Sequence, residues 1–503
     1  MQIQDWAVLD ISMNIGDSTI RDFRRGRISE SAIGGSLIPE NSVSECQNVL
    51  FDTKIGSAVV RAGTTKLGGT VVANRTPLGL TTFSTVDLNT NLVVGVYSGA
   101  SNATVYYYNG SWNTSGVTTL SNTAKNRFAS LGGRIFRANG VTAMASSTNG
   151  NTWGTTNCLG LTTAHIVGLV FRQKNRLLAA GDTVFPSRVW FSSVIAPGAA
   201  TTLTWAEGNN TGDFIDINPD DGDYVTAFAE TASQTLVFKS NAFYRLNVIS
   251  KTVDTENIFD VGAVSQEAVT RCQGVVYFFT GKDIRRTAGG FPEQISRLGV
   301  QDFLDAIPQS SWTNVGAGAD DWNVYFSIGT VTLNNKQDEQ KTYKNVVLKF
   351  STRDESWSVH SYGDQFRFFA KYTTSADGKT TIGAETSGNV QTINKGQTDN
   401  ARPIFYFLET QDLEFGKIQD IKQATKNFVS ITENAQNSRI KISADGNDFK
   451  DVPIEYKEKR VNIGRNINIS GREHKVRWEG ESIGNPPIFE GFVIPDVNSQ
   501  GIT

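Results

Sequence analysis

The residues with chemistry to offer are few and scattered. His165, His360 and His474 are the only histidines, and none has a partner at metal-ligand or triad-like spacing. Catalytic groups need not be close in sequence, but there is also no G-x-S-x-G elbow to supply a nucleophile. Gly274 to Lys282 superficially looks like a phosphate loop. Its glycine spacing is wrong, and Asp283 stands where the magnesium-holding hydroxyl belongs, so the segment reads as a strand and its turn. Cys46, Cys158 and Cys272 lie far apart and are odd in number, which fits neither a disulfide framework nor a zinc site. A reducing cytosol suits them, without fixing the compartment. These residues predict no enzyme, no cofactor and no metal centre.

Three clusters have both a functional and a bland reading. Asp213, Asp216, Asp220, Asp221 and Asp223, with Asn218, supply the oxygen ligands calcium prefers, but the spacing is not that of an EF-hand. Pro219-Asp220-Asp221-Gly222 is equally a good turn in a solvated loop. Ser146-Ser147-Thr148-Asn149-Gly150-Asn151-Thr152-Trp153 resembles the Asp-box hairpin of sialidase-like propellers, with Thr148 at the aspartate position. That box is a structural turn, and Ser443-Ala444-Asp445-Gly446-Asn447-Asp448-Phe449 reads as another. A glycosidase would need two facing carboxylates, and no pair can be placed from the sequence. Arg21, Arg24, Arg25 and Arg27 could dock a phosphate or an acidic partner, or belong to a solvated connector.

The elements that would position these residues are almost all β. The chain has 503 residues, of which 39% are hydrophobic and 19% charged, and its 47 Lys and Arg against 50 Asp and Glu leave a charge of -3. That balance excludes a generally basic, nucleic-acid-coating protein. Met1 to Trp6 lack the basic and apolar regions of a signal peptide, and no apolar run approaches the roughly 18 residues needed to span a bilayer. The protein is therefore expected to be soluble when made, with no export address. Short β-branched or aromatic runs recur from about Val71 onward, among them Leu92 to Tyr97, Thr104 to Tyr108, Val275 to Phe279 and Val346 to Phe350. Asn109-Gly110, Asn139-Gly140, Asn149-Gly150, Asp377-Gly378 and Asp445-Gly446 lie between many of them, and these pairs tolerate the positive φ of tight hairpins. Helical spacing occurs only near Val300 to Ile307 and over Asp420 to Phe428.

A strand, a turn and a tryptophan recur together: Tyr106 to Tyr108 with Trp112, Arg134 to Arg137 with Trp153, Leu348 to Phe350 with Trp357. Successive units lie roughly 40–50 residues apart, the period of four-stranded propeller blades. The spacing predicts an irregular β-propeller, with stacked sandwiches as the alternative. It divides the chain into an N-terminal arm or platform segment over 1–70, a propeller over 71–401 and a sandwich-like domain over 402–503. In the last, Ile404 to Leu408, Ser438 to Ser443 and Lys475 to Trp478 alternate apolar with polar residues. The two flanks could pack together, since domain termini are often close. Asn334 to Lys341 reads as an exposed loop between strands.

Several segments, taken in order, resemble the β-propeller tail nozzle proteins of short-tailed phages, also called tail tubular protein B or packaged-DNA stabilisation proteins. They are Ser44 to Asp52 followed by Val59-Val60-Arg61-Ala62-Gly63, Arg172 to Gly181 with Pro186 to Ser192, and Phe214 to Ile217 with Asp220 to Asp223. Leu236 to Asn241, Val261 to Ser265, Gly274 to Phe279 and Ile295-Ser296 follow. Residues 40–300 carry the resemblance, and Trp478 to Ile494 carry it more loosely. It implies a virion protein assembled in the host cytoplasm. Such a protein forms a six-fold ring with copies of itself beneath the adaptor ring of the head-tail connector, below the portal. The ring continues the DNA channel, helps retain the packaged genome until ejection and supports tail fibres or tailspikes. A wall past which DNA slides should avoid a strongly basic lining, and the charge of -3 accords with that. The competing reading is a glycan-binding or glycoside-hydrolysing propeller.

Overall fold

The computed structural model describes residues 18–20, 22–33, 37–39, 41–54, 56–84, 91–155, 158–159, 161, 165–195, 203–205, 213–254, 259–334, 340–374, 378–413, 421–424, 427–434, 437–456, 461–465, 469–494 and 497–500. The chain is all-β and forms two compact units. One joins Met1–Arg61 to Pro403–Thr503, and the other is Ala62–Arg402.

The unit built from both chain ends is a sandwich of antiparallel sheets. One sheet runs Val49–Leu50, Ala58–Val60, Ile488–Ile494, Asn427–Glu433, Val461–Arg465 and Ile454–Tyr456, with Ser18–Ile20 also paired to Ile488–Ile494. The other runs Glu45–Gln47, Ile404–Glu409, His474–Ser482, Ser438–Ala444 and Lys450–Asp451. N-terminal strands enter both sheets, so neither sheet is complete without the far end of the chain. Alternation along His474–Ser482 sends Val476 and Trp478 inward, and the Trp478 ring stacks on Phe489 of the opposite sheet at 5.1 Å. Phe23, Val43, Cys46, Ile440 and Ile442 complete that core.

Besides one short parallel pair of Cys158–Leu159 with Leu203–Thr204, the central unit has among the described residues seven small antiparallel sheets, six of four strands and one of three. Their innermost strands are Pro77–Ser84, Arg127–Leu131, Leu169–Gln173, Val225–Glu230, Val269–Cys272, Gly316–Ala319 and Phe366–Thr374. Each packs against the next and the last packs against the first, which closes a seven-bladed propeller. The starts are 42 residues apart at the closest (Arg127 to Leu169) and 56 at the widest (Leu169 to Val225), an irregularity carried by the connecting loops. Near the axis the strands come too close for side chains everywhere. A Cβ on Gly316 would stand 2.5 Å from the Arg367 carbonyl oxygen, so only glycine lets the sixth blade meet the seventh there. Further out, apolar cores fill gaps between neighbouring blades. Leu177, Ala179 and Trp190 face Phe136 and Ala138, while Phe238 and Phe243 face Phe278.

The ring is closed by a strand from its own beginning. Thr64–Thr70, assigned above to the N-terminal segment, instead forms the outer edge of the seventh blade, antiparallel to Asn389–Ile393. The division therefore falls at Arg61 rather than at residue 70, because the blade would otherwise expose an unpaired edge. A closing core follows: Leu80, Val93 and Tyr97 of the first blade pack on Phe368, Tyr372, Ile382 and Val390 of the seventh.

The expected helix near Val300 is present as Gln301–Asp305. The one expected over Asp420 to Phe428 is not. Ile421–Ala424 pairs with Ile469–Gly471 and Val497–Gln500, and Asn427–Glu433 lies between Val461–Arg465 and Ile488–Ile494, so sheet pairing overrides a weak local period. Asn334 and Gln340 are paired ends of a long hairpin; 335–339 lie outside the described residues. No helix among the described residues is long and apolar enough to cross a membrane.

Closure depends on a turn only glycine can make. Gly388 has φ +86°, and a Cβ there would lie 1.6 Å from the carbonyl oxygen of Val72, just beyond the closing strand. Gly388→Ala is expected to lower stability by about 2–3 kcal/mol in urea denaturation, because it combines left-handed strain with a backbone clash.

Candidate functional site

At the propeller axis lies a cavity of about 300 Å³, lined from the first, second, third, fifth, sixth and seventh blades and from the turn that leads into the fifth. Leu80, Phe128, Val170, Phe171, Val269 and Phe369 give it apolar walls, Thr81, Asn126 and Gln266 add about as much polar surface, and Arg127 and Glu267 give it charge. Glu267 sits in the 3-10 turn Gln266–Ala268, which enters the axis ahead of the strand Val269–Cys272. Arg127 Nε and Nη2 donate to the two Glu267 oxygens at 2.7 and 3.2 Å, and Lys125 Nζ donates at 3.0 Å. Lys125 also donates to the Thr313 carbonyl. Burial would raise the Glu267 pKa, but the charges and hydrogen bonds of Arg127 and Lys125 outweigh it and hold the carboxyl at about 2. Next to it the Gln266 amide accepts from the Phe228 N–H at 2.8 Å and donates to the Phe228 carbonyl at 3.0 Å, imitating a strand pair with the fourth blade. One short turn thus ties the second, fourth and fifth blades together across the axis.

The acidic run does not converge on a common point. Asp213 is held by Lys251 at 2.7 Å, and Asp216 by Arg188 Nε and Nη2 at 2.7 and 2.8 Å. Arg188 is itself sandwiched between the rings of Phe185 and Phe214. Asp221 receives the fully buried ammonium of Lys239 at 2.7 and 2.8 Å. Asp223 accepts from the N–H groups of Ser240 and Asn241. Burial would raise the Asp223 pKa, and these hydrogen bonds bring it below the usual range. Lys251 keeps Asp213 low in the same direction. Asp220 is exposed in the turn. Among the described residues, no group of three His, Cys, Asp or Glu side chains could hold a metal ion.

The arginine cluster is not one surface. Arg24 folds back on Asp22 at 2.7 Å, and Arg25 is exposed. Arg27 is only 3% exposed, because it bridges Val43 and is drawn into the terminal unit. Arg21 lies outside the described residues. The histidines are separate too. His165 Nδ1 pairs with the buried Asp182 at 2.9 Å and leans on Trp190, while His360 lies buried against Ser358. His474 is buried in the terminal unit.

The Asp-box-like segment is a turn. Ser147 Oγ accepts from the N–H groups of Asn149 and Gly150, Asn149 Oδ1 accepts from Asn151 and Thr152, and Trp153 Nε1 donates to the Gly150 carbonyl. Thr148 points to solvent, so Asn149 does the work of the missing aspartate. Asp445 likewise caps Arg472 and Glu473 N–H groups. Gly274 to Asp283 is a strand and its turn, closed by the bond from Thr280 Oγ1 to Asp283. Among the described residues the axial cavity is lined by one carboxylate, not the facing pair a glycosidase needs.

Nothing in the sequence marks Lys125, Arg127, Gln266 or Glu267 as a group. Arg127 and Glu267 are 140 residues apart and none of the four stands in a motif; only the ring brings them to one axis.

No family model and no curated protein matches this chain. Among solved structures, BBS1N in complex with ARL6DN is similar at 12% identity and a TM-score of 0.42, covering 66% of this chain and 98% of that one. YCF48 bound to D1 peptide is similar at 10% identity and a TM-score of 0.39, covering 66% and 95%. YCF48 from Cyanidioschyzon merolae gives 10% and 0.35, covering 66% and 98%.

Removing the axial carboxylate leaves two cations facing each other. Glu267→Gln is expected to cost about 2–4 kcal/mol in denaturant melts at pH 7. A depressed carboxyl stabilises above its unfolded pKa, and that contribution fades as pH falls toward the folded value of about 2. Wild type and variant should therefore converge between pH 4.5 and 2, which a pH series of the same melts would read.

Proposed function

We propose that this chain is a structural, non-enzymatic part of a virion tail, of the nozzle class found in short-tailed phages. It would form a six-fold ring with its own copies, dock to the adaptor ring below the portal, carry fibres or spikes, and let genome DNA pass without reading its sequence.

The observation that carries the reading is the order of segments resembling nozzle proteins, together with what those segments do in this fold. Asn48, in the first of them, accepts from Arg61 Nε at 2.8 Å and donates to the Phe405 carbonyl at 2.7 Å, so the Gln47-Asn48-Val49 and Arg61-Ala62-Gly63 segments are one joint. Ser187 and Arg188 belong to the second pair of segments, and Asp221 and Lys239 to the next. Lys239 Nζ reaches Ser187 Oγ as well as Asp221, which fastens the third blade to the fourth. The resembling residues are thus latches of a framework rather than members of a reactive site. A framework suits a part whose work is to hold shape while a stiff polyanion moves past it.

Electron microscopy of the purified chain, alone and mixed with a portal–adaptor assembly, tests the proposal. The expected result is a six-fold ring with an open axis seated on the adaptor. A monomer that ignores the adaptor would overturn it.

A further inference from the structure

The three Asn-Gly pairs of the propeller differ in the one bond that decides whether such a pair can react with itself. Glycine has no Cβ to shield its nitrogen from the side-chain carbonyl carbon of the preceding asparagine. In the second blade both glycine nitrogens are occupied. Gly140 N–H donates to the Val167 carbonyl at 3.0 Å, and Asn139 beside it is only 5% exposed. Gly150 N–H donates to Ser147 Oγ at 2.9 Å, and a Cβ on Gly150 would stand 3.1 Å from Tyr107 Cβ, so this glycine is packed as well as bonded. The first-blade pair is free of such ties. Asn109 and Gly110 are exposed in the turn that joins Thr104–Tyr108 to Trp112–Thr114, the outermost strand of the blade. Gly110 has φ +105°, a Cβ on it would meet nothing within 4 Å, and its N–H donates to none of the described residues. Asn113 Nδ2 donates to Asn109 Oδ1 at 3.0 Å.

We infer that Asn109–Gly110 is a site of spontaneous deamidation, placed where its product loosens the grip of the first blade on the strand that closes the ring. The Gly110 nitrogen, once water has taken its proton, bonds to Asn109 Cγ. Charge that develops on Oδ1 is met by Asn113 Nδ2. The Cγ–Nδ2 bond then breaks, and Nδ2 leaves as ammonia with a proton returned from water, which leaves a cyclic imide. A second water opens the imide at either carbonyl, its hydroxyl going to the carbon and its proton to the ring nitrogen. The product is aspartate, or isoaspartate with an extra carbon in the backbone, and nothing is oxidised or reduced. Donors also face the other two side-chain oxygens, Val141 and Thr142 at Asn139, Asn151 and Thr152 at Asn149. What sets Asn109 apart is therefore its unoccupied nucleophile.

Its position gives the reaction a consequence. Tyr108 and Trp112 flank the turn and hold the closing strand Thr64–Thr70 between them and the seventh blade. Trp112 Nε1 donates to the Leu67 carbonyl at 2.7 Å, and the Tyr108 ring lies so close to Gly68 that a Cβ there would stand 2.1 Å from it. A longer backbone between Tyr108 and Trp112, with a new negative charge, shifts one ring against the other. The site does not depend on the tail reading.

The test ages the whole chain in mildly alkaline buffer, folded and separately in urea, and maps it by peptide mass spectrometry with enzymatic methylation of isoaspartate. In the folded protein, conversion at Asn109 is expected to outpace Asn139 and Asn149 by about tenfold or more, since those pairs must first break several hydrogen bonds. In urea the three should convert at similar rates. Ser147→Ala frees the Gly150 N–H and should speed conversion at Asn149 by about fivefold. If that variant does not fold, the comparison of folded with unfolded wild type decides alone. Amide exchange of Thr64–Thr70 should quicken by about tenfold in the converted protein. Asn109 converting no faster than the other two in the folded protein, or a folded Ser147→Ala in which Asn149 is as slow as before, would overturn the site. Exchange left unchanged by conversion would overturn the loosened grip.

Discussion

A ring of twisted sheets has to be closed, and in this chain closure falls to residues from opposite ends of the propeller. Thr64–Thr70 supplies the outer edge of a blade whose other strands begin three hundred residues later at Phe366. Without that edge the seventh blade would carry unpaired backbone groups, and the core that joins it to the first would lose Leu67. The same solution appears in the terminal unit, where Glu45–Gln47 pairs with Ile404–Glu409 and Ser18–Ile20 with Ile488–Ile494. Each unit is thus stitched by long-range pairing rather than by local contacts, which favours slow folding and a cooperative native state.

Closure is tuned as well as made. Glu385 lies buried near the closing strand, accepting from Gln391 and Ser387, and burial pushes its pKa up to about 7 despite those bonds. A raised carboxyl stabilises the fold while protonated, so this contribution is lost as pH rises through about 7. Glu267 at the axis behaves in the opposite way, because Arg127 and Lys125 offset its burial. Two buried glutamates in one propeller therefore respond to pH with opposite sign, and the difference is whether a cation faces them.

Much of the architecture could be read from the sequence because it is local. Asn-Gly turns, β-branched runs and the strand–turn–Trp pattern each reflect contacts within one blade, and Asn149 to Trp153 folds as its turn chemistry suggests. What could not be read is what the ring imposes. Thr64–Thr70 has no local mark that it belongs to the last blade, and the strand Ile421–Ala424 has a local period that its neighbours override. The axial group is the clearest case: Arg127 and Glu267, separated in the chain by the third and fourth blades, are adjacent only because the ring closes. The acidic run drew attention as a calcium candidate because its residues are adjacent in sequence. In the fold its carboxylates turn to Lys251, Arg188, Lys239 and backbone amides.

A propeller that is stitched at its edge and pinned at its axis should behave as a single stiff body, and the structural role proposed for it requires that. Native-state hydrogen exchange is the most direct measurement. If closure is integral, the amides that Thr64–Thr70 exchanges with Asn389–Ile393 will open with nearly the same free energy as the innermost strands Pro77–Ser84 and Phe366–Thr374. If the closing strand exchanges orders of magnitude faster while the inner strands stay protected, it frays independently, and the account of a closed and rigid ring is wrong.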